Sequence, residues 1–134
     1  MAIDYLKPGR DVTKLVDKVR RRYYKEFKRA KIVVLIRTGN GRFAGTLARV
    51  SKKHKVLGID GDYLLTISQD AWEHFTGKQR KALIDHELYH MAKKKGKDGK
   101  TQWKLRCHDV EEFTEIVKRY GAWTNSLAKF RKAF

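Results

Sequence analysis

The chain has 134 residues, 41% of them hydrophobic, with 32 Lys and Arg against 15 Asp and Glu, a net charge of +17. That length and apolar content suit one domain, 1–134, with a modest core, and argue against a disordered chain. A single cysteine, Cys107, excludes an internal disulfide framework; with no apolar run of leader or membrane-span length, the expectation is a soluble cytoplasmic protein. So strong a positive field attracts polyanions, and nucleic acid is the commonest of these in a cell. No helix-turn-helix, zinc-finger or RNA-binding sheet signature is present, so contact with DNA or RNA through a basic surface is expected rather than base reading. The competing reading is a solvated basic surface with no partner.

Asp11 is placed to cap a helix in which Val12, Leu15, Val16, Val19, Tyr23 and Phe27 recur at helical spacing. Lys18, Arg21, Arg22, Lys25 and Arg29 form its basic face. "KIVVLIR" (31–37) is β-branched and reads as a buried strand. Asn40-Gly41 is a tight-turn signal, which makes "RFAGTLARVS" (42–51) the expected hairpin partner. "KVLGI" reads as another short strand and "DYLLTIS" (62–68) as the last one. Asp70 with Glu73, and Thr76 with Gln79, have capping-box spacing. The second pair announces a helix, "GKQRKALIDHELYHMAKKK", with Ala82, Ile84, Leu88 and Met91 facing a sheet. "GKDGKTQWK" reads as a basic loop. "HDVEEFTEIVKRYG" reads as a helix with Val110, Phe113, Val117 and Tyr120 inward and Gly121 as its stop, and "TNSLAKFRKAF" as a final short helix. The expected class is α+β, with a mostly antiparallel sheet of three to four strands.

"HELYH" (86–90) fits His-Glu-x-x-His (HExxH). On a helix, residues i and i+4 project alike, so His86 and His90 can reach one metal ion. Zinc lowers the pKa of its water towards about 7 and polarises a scissile carbonyl, while the adjacent Glu87 can take the water's proton and pass it to the leaving amine. The motif is expected mid-helix, after an antiparallel sheet. Two solvated histidines on a basic helix are the bland alternative. His54 and His74 have no partner at ligand spacing and read as surface residues.

"DYLLTIS", "DAWEHFTGKQRKALIDHELYHM" and "RCHDVEEFTEIVKRYG" together resemble the putative phage metallopeptidase family, HExxH zincins that neighbour the SprT-like proteases. The resemblance covers about residues 30–121. It implies a minimal zincin-like domain, its sheet packed against an N-terminal helix, the HExxH helix and a C-terminal helix, and binding one zinc ion. It also implies a phage or prophage origin, hence a bacterial host cytoplasm. By that resemblance "DYLLTIS" is an edge strand that offers unpaired backbone to an extended peptide.

A catalytic zinc takes three protein ligands, so a third must follow the second histidine. His108 is the first choice, because imidazole suits zinc and the SprT-like pattern uses a third histidine beyond a loop. Glu111 or Glu112 is the runner-up. Cys107 is weaker, and reads otherwise as a small buried residue. Asp109 could orient a ligand histidine. Tyr120, or a tyrosine of the first helix, could stabilise an oxyanion. The function expected is zinc-dependent hydrolysis of peptide bonds in a protein or peptide substrate, by way of zinc-bound water. "KKKGKDGKTQWKLR", with Trp103 among its lysines, could hold a nucleic-acid backbone, which extends the substrates to nucleic-acid-associated proteins. The alternative is a nucleic-acid-binding phage protein with a structural or degenerate zinc site. A monomer is the favoured state.

Overall fold

A computed structural model describes residues 3–39, 43–107, 114–121, 123 and 124. The chain runs β1 (Asp4–Leu6), α1 (Arg10–Tyr23), a 3₁₀ turn (Lys25–Phe27), β2 (Ile32–Thr38), β3 (Gly45–Arg49), α2 (Lys52–Val56), β4 (Tyr63–Ser68), α3 (Gln69–His74), α4 (Gly77–Tyr89), β5 (Met91–Lys95), β6 (Thr101–Leu105) and α5 (Thr114–Tyr120). The α+β class expected of the sequence is what forms. Four strands make one sheet in the order β1-β2-β4-β3, and β5 pairs with β6 alone. Within the larger sheet β2 and β4 are parallel, and the other two pairings are antiparallel.

The strand "YLLTIS" is the centre of this sheet, not its edge. Its alternating Tyr63, Leu65 and Ile67 are fully buried, and a strand so apolar needs both backbone edges covered. β4 therefore inserts between β2 and β3, and the hairpin expected of those two strands does not form. Leu35 of β2 and Thr46 of β3 both pair with Thr66 of β4, from opposite sides. The turn signal Asn40-Gly41 lies outside the described residues.

α1 buries Val12, Val16 and Val19 against the sheet and α4, with Phe27 of the 3₁₀ turn completing the stripe. Lys18, Arg21, Arg22, Lys25 and Arg29 are exposed, as a solvated face requires. The N-cap is Gly9 rather than Asp11. Asp11 sits in the first turn and accepts a hydrogen bond from Trp72 Nε1 at 3.0 Å, which lowers its pKa and ties α1 to α3. "KVLGI" starts inside a short helix, because Ser51 Oγ accepts from His54 N and His54 Nδ1 accepts from Ser51 N, closing a capping box. At α3, Ser68 Oγ takes the capping role expected of Asp70. The Thr76–Gln79 box forms as expected, with bonds of 3.2 and 2.9 Å.

α4 is buried on almost every side, at Ala82, Leu83, Ile84, Asp85, Glu87 and Leu88. It ends at Tyr89 instead of running through the lysines. Met91, fully buried, begins a strand, and the stretch expected to be a loop supplies its partner. The turn between them is set by Gly99, whose φ of 79° favours glycine. Tyr63 lies beneath this ribbon, its hydroxyl 3.0 and 2.7 Å from the carbonyls of Ala92 and Lys104. In α5 the core residues are Ile116 and Tyr120; Val117 is half-buried, one position out of phase with the expected stripe. Gly121, at φ 69°, ends the helix as expected. Val110, Phe113 and the stretch 125–134 lie outside the described residues. No helix among the described residues is long and apolar enough to cross a membrane.

One buried carboxylate joins these elements. Asp85 of α4, with no solvent exposure, accepts from Tyr24 Oη, from Tyr120 Oη at 2.9 Å, and from Arg119 Nη1 at 2.6 Å to both oxygens. Burial and then the Asp85 charge raise the pKa of both tyrosines, keeping them donors. The Arg119 guanidinium also lies 3.9 Å from the centre of the Tyr23 ring. Asp85→Ala would leave a guanidinium and two hydroxyls without their acceptor, so we expect a loss of about 3–5 kcal/mol in urea unfolding. Tyr24→Phe removes one donor and should cost about 1–2 kcal/mol. Wild-type urea midpoints in both variants would refute this role for Asp85.

Candidate metal centre

α4 carries His86 and Glu87 in its last turn, and His90 is its C-cap. His90 keeps helical angles, φ −66° and ψ −19°, so its side chain follows His86 by one turn although the helix has ended. The motif is thus at a helix terminus and not mid-helix. That position has a use, because the C-terminal carbonyls favour a cation.

One potential ligand atom from each of His86, Glu87 and His90 lies within 4.8 Å of the others. The imidazole centroids are 5.3 Å apart and inclined at 75°. Glu87 Oε1 is 3.6 Å from His86 Nε2, and both side chains are largely buried. His90 Nδ1 is 2.7 Å from the carbonyl oxygen of Arg106. A carbonyl only accepts, so Nδ1 carries the proton and ligation of a metal falls to Nε2. Arg106 N in turn donates to His90 O. This two-way bond exists because the helix stops: β5 leaves from His90, and β6 brings Arg106 back beside it. Two imidazoles with a carboxylate beside them, in partly buried surroundings, are groups that fit a divalent metal ion.

The walls of the site come from three other elements. Gly45 of β3 lies so close that a Cβ there would stand 3.4 Å from Glu87 Cγ and 3.3 Å from both Leu83 Cδ1 and the Thr66 carbonyl. β3 therefore runs directly beside Glu87. Trp123 meets His86 edge-on at 6.2 Å between centroids and Phe75 at 6.3 Å. The Arg106 guanidinium covers the Tyr89 ring at 4.2 Å.

The histidines expected to be surface residues are exposed. His54 caps α2, and His74 is bonded to the Asp70 carbonyl, which with the Asp70 charge raises its pKa. Cys107 is exposed and not buried as expected. The Tyr120 and Tyr24 hydroxyls are bonded to Asp85, so neither serves as an oxyanion donor. His108, Asp109, Glu111 and Glu112 lie outside the described residues. Sequence reasoning missed Gly45, Trp123, Asp85 and the Arg106 carbonyl. Only Asp85 carried a signal, as an acid placed between Ile84 and His86 in an otherwise buried run.

Comparison with known proteins agrees with this geometry. Neither the curated proteins nor the solved structures contain a significant match. A family model described as "putative phage metallopeptidase" matches residues 4–133, nearly the whole chain. A metallopeptidase family implies a bound metal, and the His86–Glu87–His90 group offers the ligand atoms for one. The chain belongs to the putative phage metallopeptidase family.

Proposed function

We propose that this chain is a zinc-dependent metallopeptidase with His86, His90 and His108 as ligands and Glu87 as general base. The observation that carries the reading is the cluster itself, with His90 held in one tautomer by the Arg106 carbonyl. His108 follows Arg106 by two residues in the sequence, and it takes the third-ligand role because imidazole suits zinc. Zinc, when bound, supplies the Lewis acidity that polarises a carbonyl and makes water a nucleophile near neutral pH.

The protein's own groups do the rest. Glu87, nearly inaccessible to solvent, takes a proton from the attacking water and returns it to the departing amine nitrogen. His90 stays fixed because its second ring nitrogen is engaged with the backbone. β3 pairs only with β4 among the described residues, and it passes beside Glu87. An extended peptide laid along its outer edge would bring a scissile bond to the carboxylate. This role therefore moves from "DYLLTIS", now central, to β3. The substrate is a protein or peptide, and the charge of +17 favours one associated with nucleic acid.

Metal analysis of untagged protein should find one zinc per chain, with weaker retention in His108→Ala. Glu87→Gln should keep the zinc and lose about 10²–10⁴-fold in kcat on a peptide substrate. Folded wild-type protein that takes up no zinc, or a Glu87→Gln variant that turns over normally, would overturn the reading. Gly45→Val should press on Glu87 and lower kcat/KM by about ten- to a hundredfold with zinc retained. Unchanged kinetics there would show that β3 does not border the reacting groups.

A further inference from the structure

β5 and β6 form a two-stranded ribbon whose charge is nearly all of one sign. Residues 91–106 hold six lysines and one arginine against a single acid, Asp98. The pairing register sets Lys93 opposite Trp103 and Lys94 opposite Gln102. Alternation then gives the ribbon two different faces. One face is docked on the body of the protein: Trp103 packs on Phe27 and Tyr63 at 6.0 and 6.5 Å between centroids, and Lys93 Nζ donates to the Glu26 carbonyl at 3.0 Å. The opposite face carries Lys94 and Gln102, both exposed, and the tip adds Lys97 and Lys100.

Nothing among the described residues balances this charge. Lys94, Lys95, Lys97 and Lys100 form no ion pair with a carboxylate there. Asp98 accepts from the backbone N–H of Lys100 at 3.0 Å, within the turn. The basic surface continues past the ribbon's base, where Lys25 and Lys28 are exposed on either side of the buried Phe27. Among the described residues, folding brings these like charges together with Asp98 as the one acid on the ribbon, at a repulsive cost that a polyanion would relieve.

We propose that the β5–β6 ribbon is a docking surface for the backbone of duplex DNA. A two-stranded ribbon fits the B-form major groove, about 12 Å wide. The major groove of A-form RNA is deep and too narrow to admit side chains. The tip, Lys97-Asp98-Gly99-Lys100, has no apolar residue to enter a lipid surface. Contacts by lysine alone hold phosphates and do not read sequence. The ribbon begins one residue after His90, so duplex held on it lies next to the candidate metal centre. The proposal extends the nucleic-acid-associated substrates named above, and its test is read without hydrolysis.

Binding of a short fluorescein-labelled DNA duplex is measured by anisotropy across a salt series. The proteins are wild type, the ribbon variant Lys94→Gln/Lys97→Gln/Lys100→Gln, and a control that loses the same charge elsewhere, Lys14→Gln/Lys18→Gln/Lys78→Gln. Each phosphate contact contributes about 0.9 to the slope of log K against log salt, so the ribbon variant should lose about 2.7 of that slope and bind at least about tenfold more weakly. The control should stay near wild type. A ribbon variant that matches wild type, or falls no further than the control, overturns the proposal. Equally tight wild-type binding to duplex RNA or to polyglutamate overturns it too, the first against the groove fit and the second in favour of an acidic protein partner. Peptidase activity enters none of these outcomes, so loss of the hydrolase reading would leave the result intact.

Discussion

The buried carboxylate of Asp85 holds the architecture around the site together. A charge without solvent is stable only when strong donors surround it, and Asp85 has two tyrosine hydroxyls and a guanidinium. Those donors come from the end of α1 and from α5, so one group binds three elements. For Arg119, burial alone would lower the pKa; the bond to Asp85 and its charge outweigh that and raise it. Asp85 thus holds Arg119 in its charged form. Asp85 immediately precedes His86 and Glu87 on a helix, so pinning its side chain also sets the rotation of α4. The direction in which the two motif residues point follows from a contact on another side of the helix.

A second constraint acts at the end of α4. The helix stops after Tyr89, although "MAKKK" has no proline or glycine to end it. Met91 enters the core as a strand residue, and Tyr63 bridges to carbonyls on both strands of the ribbon. The stop allows Arg106 to return to His90 and bond it in both directions. A longer helix would carry the lysines outward as solvated side chains and would leave His90 without its backbone acceptor. The same event therefore builds the metal-facing tautomer of His90 and the basic ribbon beside it. The candidate metal centre and the basic ribbon are two results of one helix-to-strand switch.

Much of this was legible in the sequence. HELYH announces a pair of imidazoles one turn apart because helical periodicity is local. The Thr76–Gln79 box and the stop at Gly121 are likewise local chemistry, and both form as read. The apolar stripe of α1 follows from spacing alone, whereas α4 is buried on almost every side and spacing picks out only part of what it buries. The α+β class follows from β-branched runs giving way to helical ones, and the family could be recognised from HELYH and "HDVEEF".

What the sequence could not decide is non-local. Whether β2 pairs with β3 or with β4 depends on which strand most needs both edges covered, and turn signals do not report that. The fate of "MAKKKGKDGKTQWKL" depends on Tyr63, 29 residues before its partner Ala92, and on a core position waiting for Met91. Caps moved by two residues at α1 and α3, because several residues there could cap and tertiary contacts such as Trp72 with Asp11 selected among them. The sequence by itself determined that two imidazoles and a carboxylate come within reach of one metal ion, since that grouping is written in residue type and short spacing. Tertiary structure alone decided which strand borders them, which backbone carbonyl orients His90, and that the lysine-rich stretch 91–105 pairs as a docked ribbon, since each of these depends on segments that meet only when the core closes.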